Sequence, residues 1–125
     1  KFDYRTIKSY KDACKKIGVS PNDLPDVSRI MEDFKKPIIA LYKLMIIFRA
    51  INDGWIPGMG SNKQNKYYPW FWVLSSGFGF FDSYYYGTIA YTFVGSRLCT
   101  NTVEKAEYIG KQFQAEYKDW LLPSE

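Results

Sequence analysis

The residues with the clearest nucleophilic chemistry are the serine pair Ser75 and Ser76 and the two cysteines, Cys14 and Cys99. The chain contains no histidine, so the usual general base and the commonest transition-metal ligand are missing. A serine hydroxyl needs such a base, and a cysteine without histidine needs another base or a helix end nearby. We therefore expect no catalytic residue, and we favour two free thiols in a reducing compartment over a disulfide.

Other enzymatic chemistry also lacks its residues. Asp82 is the only carboxylate between Tyr67 and Ser96, so a two-carboxylate site there would need a partner from elsewhere in the chain. The glycines of Gly77–Phe80 do not have the spacing of a phosphate-binding loop, and aromatic residues follow them. The sequence shows no metal-ligand cluster. It predicts a protein that is not an enzyme and that has no cofactor or metal.

Aromatic residues are the most unusual feature, because thirteen of them lie between Tyr67 and Phe93. If helices cover one face of a sheet, about six rings at roughly 100 Å² each leave about 600 Å² on the other face, the upper end for an ordinary monomer. The alternative is that N-terminal segments or long loops cover the second face. The predicted interaction surface consists of five residues: Trp70, Trp72, Tyr84, Tyr85 and Tyr86.

Binding of single-stranded nucleic acid is the second hypothesis, since bases stack on aromatic side chains beside a basic groove. The region between Tyr67 and Ser96 has no Lys or Arg, although phosphate contacts supply most of such affinity. Basic residues from outside it would have to lie alongside the sheet. The candidate contacts are Lys8, Lys11, Lys15, Lys63, Lys66 and Arg97.

The N-terminal half reads as helices. Ser9 is a predicted N-cap and Gly18 a predicted C-terminal stop. Asp26 can cap a short helix over Val27–Lys35. The strongest helix spans Pro37–Asn52, is apolar nearly all round and should be buried centrally. Its longest apolar run is too short for a membrane span, which needs about 20 residues.

From Tyr67 onward the apolar period changes to two, and the alternation at Thr88–Val94 predicts the last strand of a sheet. An amphipathic helix over residues 102–122 follows, with Asn101 and Glu104 as a capping box. The fold class is α+β, with N-terminal helices and a C-terminal helix packed on a small, mostly antiparallel three-stranded sheet.

The 125 residues fit a single domain 1–125, divided into helices over 9–53, a loop over 54–66, strands over 67–99 and a helix over 102–122. Because the chain begins at Lys1, we expect that residues precede it. The net charge of +4 comes from residues 1–16, which hold six basic residues against two acidic ones.

Several strings resemble a family of small proteins encoded by phages and prophages of gut Bacteroidales. The resemblance covers about Tyr10 to Leu122, and the family supplies no catalytic or ligand residues to transfer. It implies a phage protein in the host cytoplasm or the virion, of the accessory or virion-associated binding kind. The strings are PDVSR (Pro25–Arg29), AINDGW (Ala50–Trp55), NKYYPWF (Asn65–Phe71), VGSRLC (Val94–Cys99) and AEYIGKQF (Ala106–Phe113).

Together these features predict a non-catalytic protein-interaction module of phage or prophage origin that acts through an aromatic sheet surface, either self-associating or virion-associated. The alternative is a single-stranded nucleic-acid-binding protein that combines aromatic stacking with the basic N-terminal segment.

Overall fold

The computed structural model describes residues 1–56, 65–74, 77–86 and 97–123, and for residues 72–74 and 77–86 it describes the backbone. Within these ranges none of the helices is long and apolar enough to cross a membrane. After a 3-10 turn (Tyr4–Thr6), the elements are α1 (Tyr10–Ile17), α2 (Glu32–Asn52), β1 (Lys66–Leu74), β2 (Gly77–Tyr86), α3 (Val103–Gln112) and α4 (Gln114–Leu121).

Helix α1 has the predicted ends. The Ser9 hydroxyl accepts a hydrogen bond from the Asp12 amide, which satisfies one of the free donors of the first turn. At the other end Gly18 adopts a left-handed conformation with φ 79°, which a glycine reaches without steric cost. Ala13 and Cys14 are completely buried on the inner face of this helix.

Helix α2 starts earlier than predicted. Asp26 caps only a turn, in which its carboxylate accepts a 2.9 Å hydrogen bond from the Ser28 amide, and the predicted short helix over Val27–Lys35 is wrong. The helix instead runs from Glu32 straight through Pro37. A proline near a helix start removes a single intrahelical hydrogen bond, so α2 can continue through it. Asp53, with φ 47°, ends α2 at the predicted place.

The predicted three-stranded sheet is wrong, because the sheet in the described residues is a two-stranded antiparallel hairpin of β1 and β2. Its register pairs Tyr68 with Tyr84, and it contains an irregularity after Trp70. A third segment makes one isolated antiparallel bridge, between Thr100 and Tyr67. The strand predicted over Thr88–Val94 lies outside the described residues.

The predicted C-terminal helix is two helices, α3 and α4, separated at Phe113. Phe113 has φ −114° and ψ 35°, outside the helical range, and its ring is almost completely buried. The N-cap is Thr102 rather than Asn101, since the Thr102 hydroxyl accepts a hydrogen bond from the Lys105 amide at 3.2 Å. The apolar face of the amphipathic helix predicted over residues 102–122 points inward in its middle part, where Ile109 and Tyr117 are buried.

The core forms around the C-terminal half of α2, which confirms a central buried helix for that half. Leu44, Ile47 and Ile51 are completely buried and share one cluster with side chains of α1, β1, α3 and α4. Phe71 of β1 packs on Tyr117 of α4 with ring centroids 4.5 Å apart. This cluster fixes the C-terminal half of α2 and leaves its N-terminal half to be stabilised by other contacts.

Tyr10 is a polar defect in this core. Its side chain is 9% exposed, and its hydroxyl has no hydrogen-bond partner within the part of the chain that the structure describes. Burial, as the largest cause, raises the pKa of Tyr10. A hydroxyl that loses water without gaining a partner destabilises the fold.

Replacing Tyr10 by phenylalanine should therefore raise the free energy of unfolding at pH 7, by about 1 kcal/mol. The raised pKa means that Tyr10 stays protonated in the folded state while it ionises in the unfolded state above about pH 10, so stability falls as pH rises through that range. The Tyr10→Phe variant should lose part of this alkaline destabilisation. Urea denaturation at neutral and alkaline pH checks both effects, with Tyr42→Phe as the control. Lower stability of Tyr10→Phe at pH 7 would contradict this account.

Candidate interaction surfaces

The predicted aromatic surface lies on the hairpin, and β1 is well covered where its side chains are described. Tyr68 and Phe71 are buried, and Trp70 is half-buried. The side chains of Trp72, Tyr84, Tyr85 and Tyr86 lie outside the described set, and the backbone register places the three tyrosines opposite residues 68, 67 and 66. The aromatic sheet surface thus stays a prediction, without support from the described part of β1.

A buried polar network holds the beginning of β1 against the end of α2. The Asn52 amide group donates to the Cys99 carbonyl at 3.0 Å, and the Thr100 hydroxyl donates to the Asn52 side-chain oxygen at 2.5 Å. The Thr100 backbone exchanges two hydrogen bonds, of 2.8 and 2.9 Å, with that of Tyr67. Asn52 therefore connects the central helix to the hairpin through the segment that contains Cys99 and Thr100. This network has a structural role.

Lys66, a predicted nucleic-acid contact, is completely buried at the first position of β1. A buried ammonium group cannot reach a phosphate, so this position contradicts the predicted contact. No signal in the sequence indicated this burial, because a lysine is usually solvated.

The remaining basic candidates are dispersed. Lys8, Lys11 and Lys15 are exposed on or just before α1, as expected for a solvated helix face, and Lys63 lies outside the described residues. The backbone beneath these lysines is held in place, because Gln112 donates to the Lys8 carbonyl at 2.9 Å. The remaining candidate, Arg97, lines a separate apolar groove.

An apolar stripe that the sequence analysis missed runs along the start of α2. Met31, Phe34 and Ile38 are exposed by 64%, 54% and 38%, and Ile30 beside them by 37%. A spacing of three and then four residues places the first three on one helix face. We call these four residues the α2 stripe. Its signal was present in the sequence, but the helix boundary predicted at Pro37 divided it.

The α2 stripe exposes more apolar surface than scattered side chains would. Taking roughly 200 Å² for each large apolar side chain, its four residues expose about 400 Å², within the 300–600 Å² of the largest patch on a typical monomer. Such patches are often functional. The first turn beneath it is also weakly secured, because Met31 is an N-cap without a side-chain hydrogen bond and Pro37 contributes no amide donor.

Charged residues flank the α2 stripe in a specific order. The acidic pair Glu32–Asp33 precedes Phe34, and the basic pair Lys35–Lys36 follows it. Within the chain, the Lys35 ammonium nitrogen lies 3.3 Å from a carboxylate oxygen of Glu32. An ion pair with one partner this exposed contributes little to stability and can exchange partners. Negative charge thus precedes Phe34 along the chain, and positive charge follows it.

A groove of about 520 Å³ lies at the opposite end of α2, where the helix meets the segments after α1 and around residue 56. Two exposed arginines, Arg49 and Arg97, line it. The sequence analysis had noted Arg49 only as the end of an apolar run. Apolar side chains form most of the lining: Ile17, Val19, Tyr42, Met45, Ile46 and Ile56.

Of the nucleophiles considered at first, the structure describes the two cysteines. Cys14 and Cys99 form no disulfide, and both are completely buried. Ser75 and Ser76 lie outside the described residues. Among the residues described, no three His, Cys, Asp or Glu side chains are grouped in a way that could hold a metal ion.

In comparisons with known proteins, the chain matches no family model, no curated protein and no solved structure. The resemblance to a phage protein family therefore stays a prediction. The function has to be argued from the surfaces themselves.

Proposed function

We propose that the protein is a non-catalytic interaction module that associates through the α2 stripe, with a second copy of the same chain as its partner. The observation that carries this proposal is the exposure of Met31 and Phe34 on one face of a weakly capped helix end. Burial of such side chains stabilises a complex by about 25 cal/mol for each Å² of apolar surface removed from water.

The order of charges supports self-association. In a two-fold symmetric pair, a residue on the axis meets itself, and residue i of one copy meets residue j of the other while j meets i. If two α2 helices cross in parallel at Phe34, Asp33 and Lys35, which lie about 100° to either side of Phe34 on the helix, face Lys35 and Asp33 of the other copy. The surface is therefore complementary to itself in charge as well as in apolar character.

The size of the stripe predicts a weak complex. Its roughly 400 Å² of apolar surface is about half of the ~800 Å² that each partner contributes to a standard interface. An association of this kind suits reversible assembly. An origin in a phage or prophage, and a place in the virion, belong to the same proposal and rest on the sequence resemblance.

Replacing Phe34 by aspartate should abolish the self-association. The substitution removes the central apolar side chain and places a carboxylate against its symmetry mate, while an exposed position in a helix first turn tolerates an acidic residue. Sedimentation equilibrium between about 10 µM and 1 mM protein, the range of weak complexes, gives the average mass.

The matched control is Leu24→Asp, since Leu24 is an exposed apolar residue (38%) outside the stripe. The wild type and Leu24→Asp should show the same rise in mass with concentration, and Phe34→Asp should remain a monomer. A wild type that stays monomeric over this range, or equal behaviour of the two variants, would overturn the proposal. Oligonucleotide binding by the wild type would instead support the nucleic-acid alternative.

A further inference from the structure

The groove at the C-terminal end of α2 combines an apolar lining with two guanidinium groups. Arg49 and Arg97 both line it, and neither makes an ion pair within the residues the structure describes. The planar guanidinium group of arginine fits the two oxygens of a carboxylate or phosphate, so arginine is common at sites that bind anions. Two arginines beside one apolar groove therefore point to an anionic ligand.

The chain itself offers little negative charge to these arginines. Asp53, one turn after Arg49, has its carboxylate 2.7 Å from the Lys16 ammonium group and is already paired. In the sequence, the segments 57–64 and 87–96 contain no Asp or Glu. Among the described residues that line the groove, two are positively charged, none is negatively charged and most are apolar.

We propose that this groove binds small amphipathic carboxylates. Arg49 and Arg97 hold the carboxylate, and the apolar body of the ligand lies against Met45, Ile46 and Ile56. Ile56 is 75% exposed and would become covered. This site lies away from the α2 stripe, and the inference does not depend on the proposed self-association.

The dimensions fit a small ligand. A volume of about 520 Å³ lies within the 300–1,000 Å³ usual for small-molecule sites, which are mostly apolar with a few placed polar groups. An eight-carbon chain can bury its methylene groups there while its carboxylate stays at the arginines. A cationic ligand of equal length would meet the same apolar lining and an unfavourable charge.

The test compares three probes with the same chain and different head groups: octanoate, octan-1-ol and octylammonium. Methyl NMR spectra of the full chain report binding through the shifts of Met45, Ile46 and Ile56. We expect octanoate to bind at least about tenfold more tightly than octylammonium, with octan-1-ol between them. Added salt should weaken the binding of octanoate.

The variants Arg49→Gln and Arg97→Gln should each weaken octanoate binding by about tenfold, the effect of losing one charge-assisted hydrogen bond. Both positions are exposed, so the fold should be retained. Arg29→Gln, at an exposed arginine outside the groove, is the matched control and should bind octanoate like the wild type. Equal affinity for the three probes, or octanoate binding that is unchanged in both groove variants, would overturn the inference. These measurements report ligand binding whether the protein is a monomer or a dimer. Their result therefore does not depend on the self-association tested with Phe34→Asp.

Discussion

Replacing Asn52 by leucine should lower the free energy of unfolding by about 2–4 kcal/mol, because two buried groups each lose a hydrogen bond at once. The Cys99 carbonyl loses its 3.0 Å hydrogen bond from the Asn52 side chain, and the Thr100 hydroxyl keeps as acceptor the Asn101 side-chain oxygen at a long 3.5 Å. Asn52 is 7% exposed and Thr100 is completely buried, so water cannot replace the lost bonds without a rearrangement. Leucine has the same number of side-chain heavy atoms, so the substitution opens no cavity, but its methyl groups are bulkier than the amide and add a packing cost.

A double-mutant cycle with Thr100→Val isolates the contact between the two side chains. Thr100→Val alone should cost about 1–3 kcal/mol, because it leaves the Asn52 oxygen without its donor. The double variant should be more stable than the sum of the two losses predicts, by about 1–2 kcal/mol, since neither side chain then keeps an unsatisfied group toward the other. Urea denaturation measures all four proteins.

Asn22→Leu is the control for this cycle, because Asn22 is exposed and makes no side-chain hydrogen bond within the described residues. It should change stability by no more than about 0.5 kcal/mol. A loss below about 1 kcal/mol for Asn52→Leu would contradict the role given to the network as the connection between α2 and the hairpin.

Local signals in the sequence predicted both ends of α1 and the end of α2, whereas the caps predicted at Asp26 and Asn101 were wrong. Ser9 and Gly18 delimit α1 as expected, because a hydroxyl acceptor and a residue free to adopt positive φ act within a single turn. The predicted end of α2 at Asn52 is also correct, because Asp53 adopts a positive φ there. The alternation after Tyr67 likewise indicated strand structure, and the described residues contain a hairpin there.

Features that depend on packing between distant residues could not be predicted in this way. The break between α3 and α4 lies at Phe113, whose ring is buried, and Lys66 is buried at the start of β1. The number of strands in the sheet was wrong because periodicity indicates extended segments and gives no information on which of them pair.

The surfaces proposed for binding were missed for different reasons. An apolar residue in a helix is normally assigned to the core, so the exposure of Phe34 and Ile38 needed the structure. The groove residues Arg49 and Arg97 are 48 positions apart in the chain, and their grouping depends on the turn after α2. Conversely, the aromatic residues that dominated the sequence are partly covered wherever their side chains are described.

Reversing the charges beside the α2 stripe should remove self-association in each variant alone and restore it in a mixture. The basic variant is Asp33→Lys and the acidic variant is Lys35→Glu, at the two positions that meet across the parallel pair. In a pair of identical copies each variant brings like charges together, which should weaken association by at least about tenfold. In the mixed pair, acidic side chains again face basic ones on both sides of Phe34.

The two variants are expected to keep the fold. Both positions lie in the first turn of α2, and the basic variant should lose about 0.3–1 kcal/mol because it places a positive charge at the helix N-terminus. Circular dichroism checks helix content. A mixture of Leu24→Asp and Leu24→Lys carries opposite charges outside the stripe, is the control for non-specific attraction and should associate as the wild type does.

The most direct measurement is the average mass of an equimolar mixture of the basic and acidic variants, determined by light scattering at low salt beside each variant alone. The account predicts monomers for each variant and a concentration-dependent dimer for the mixture. A mixture that stays monomeric while the wild type associates, or variants that associate alone as the wild type does, would contradict the parallel pairing of α2 helices through the α2 stripe.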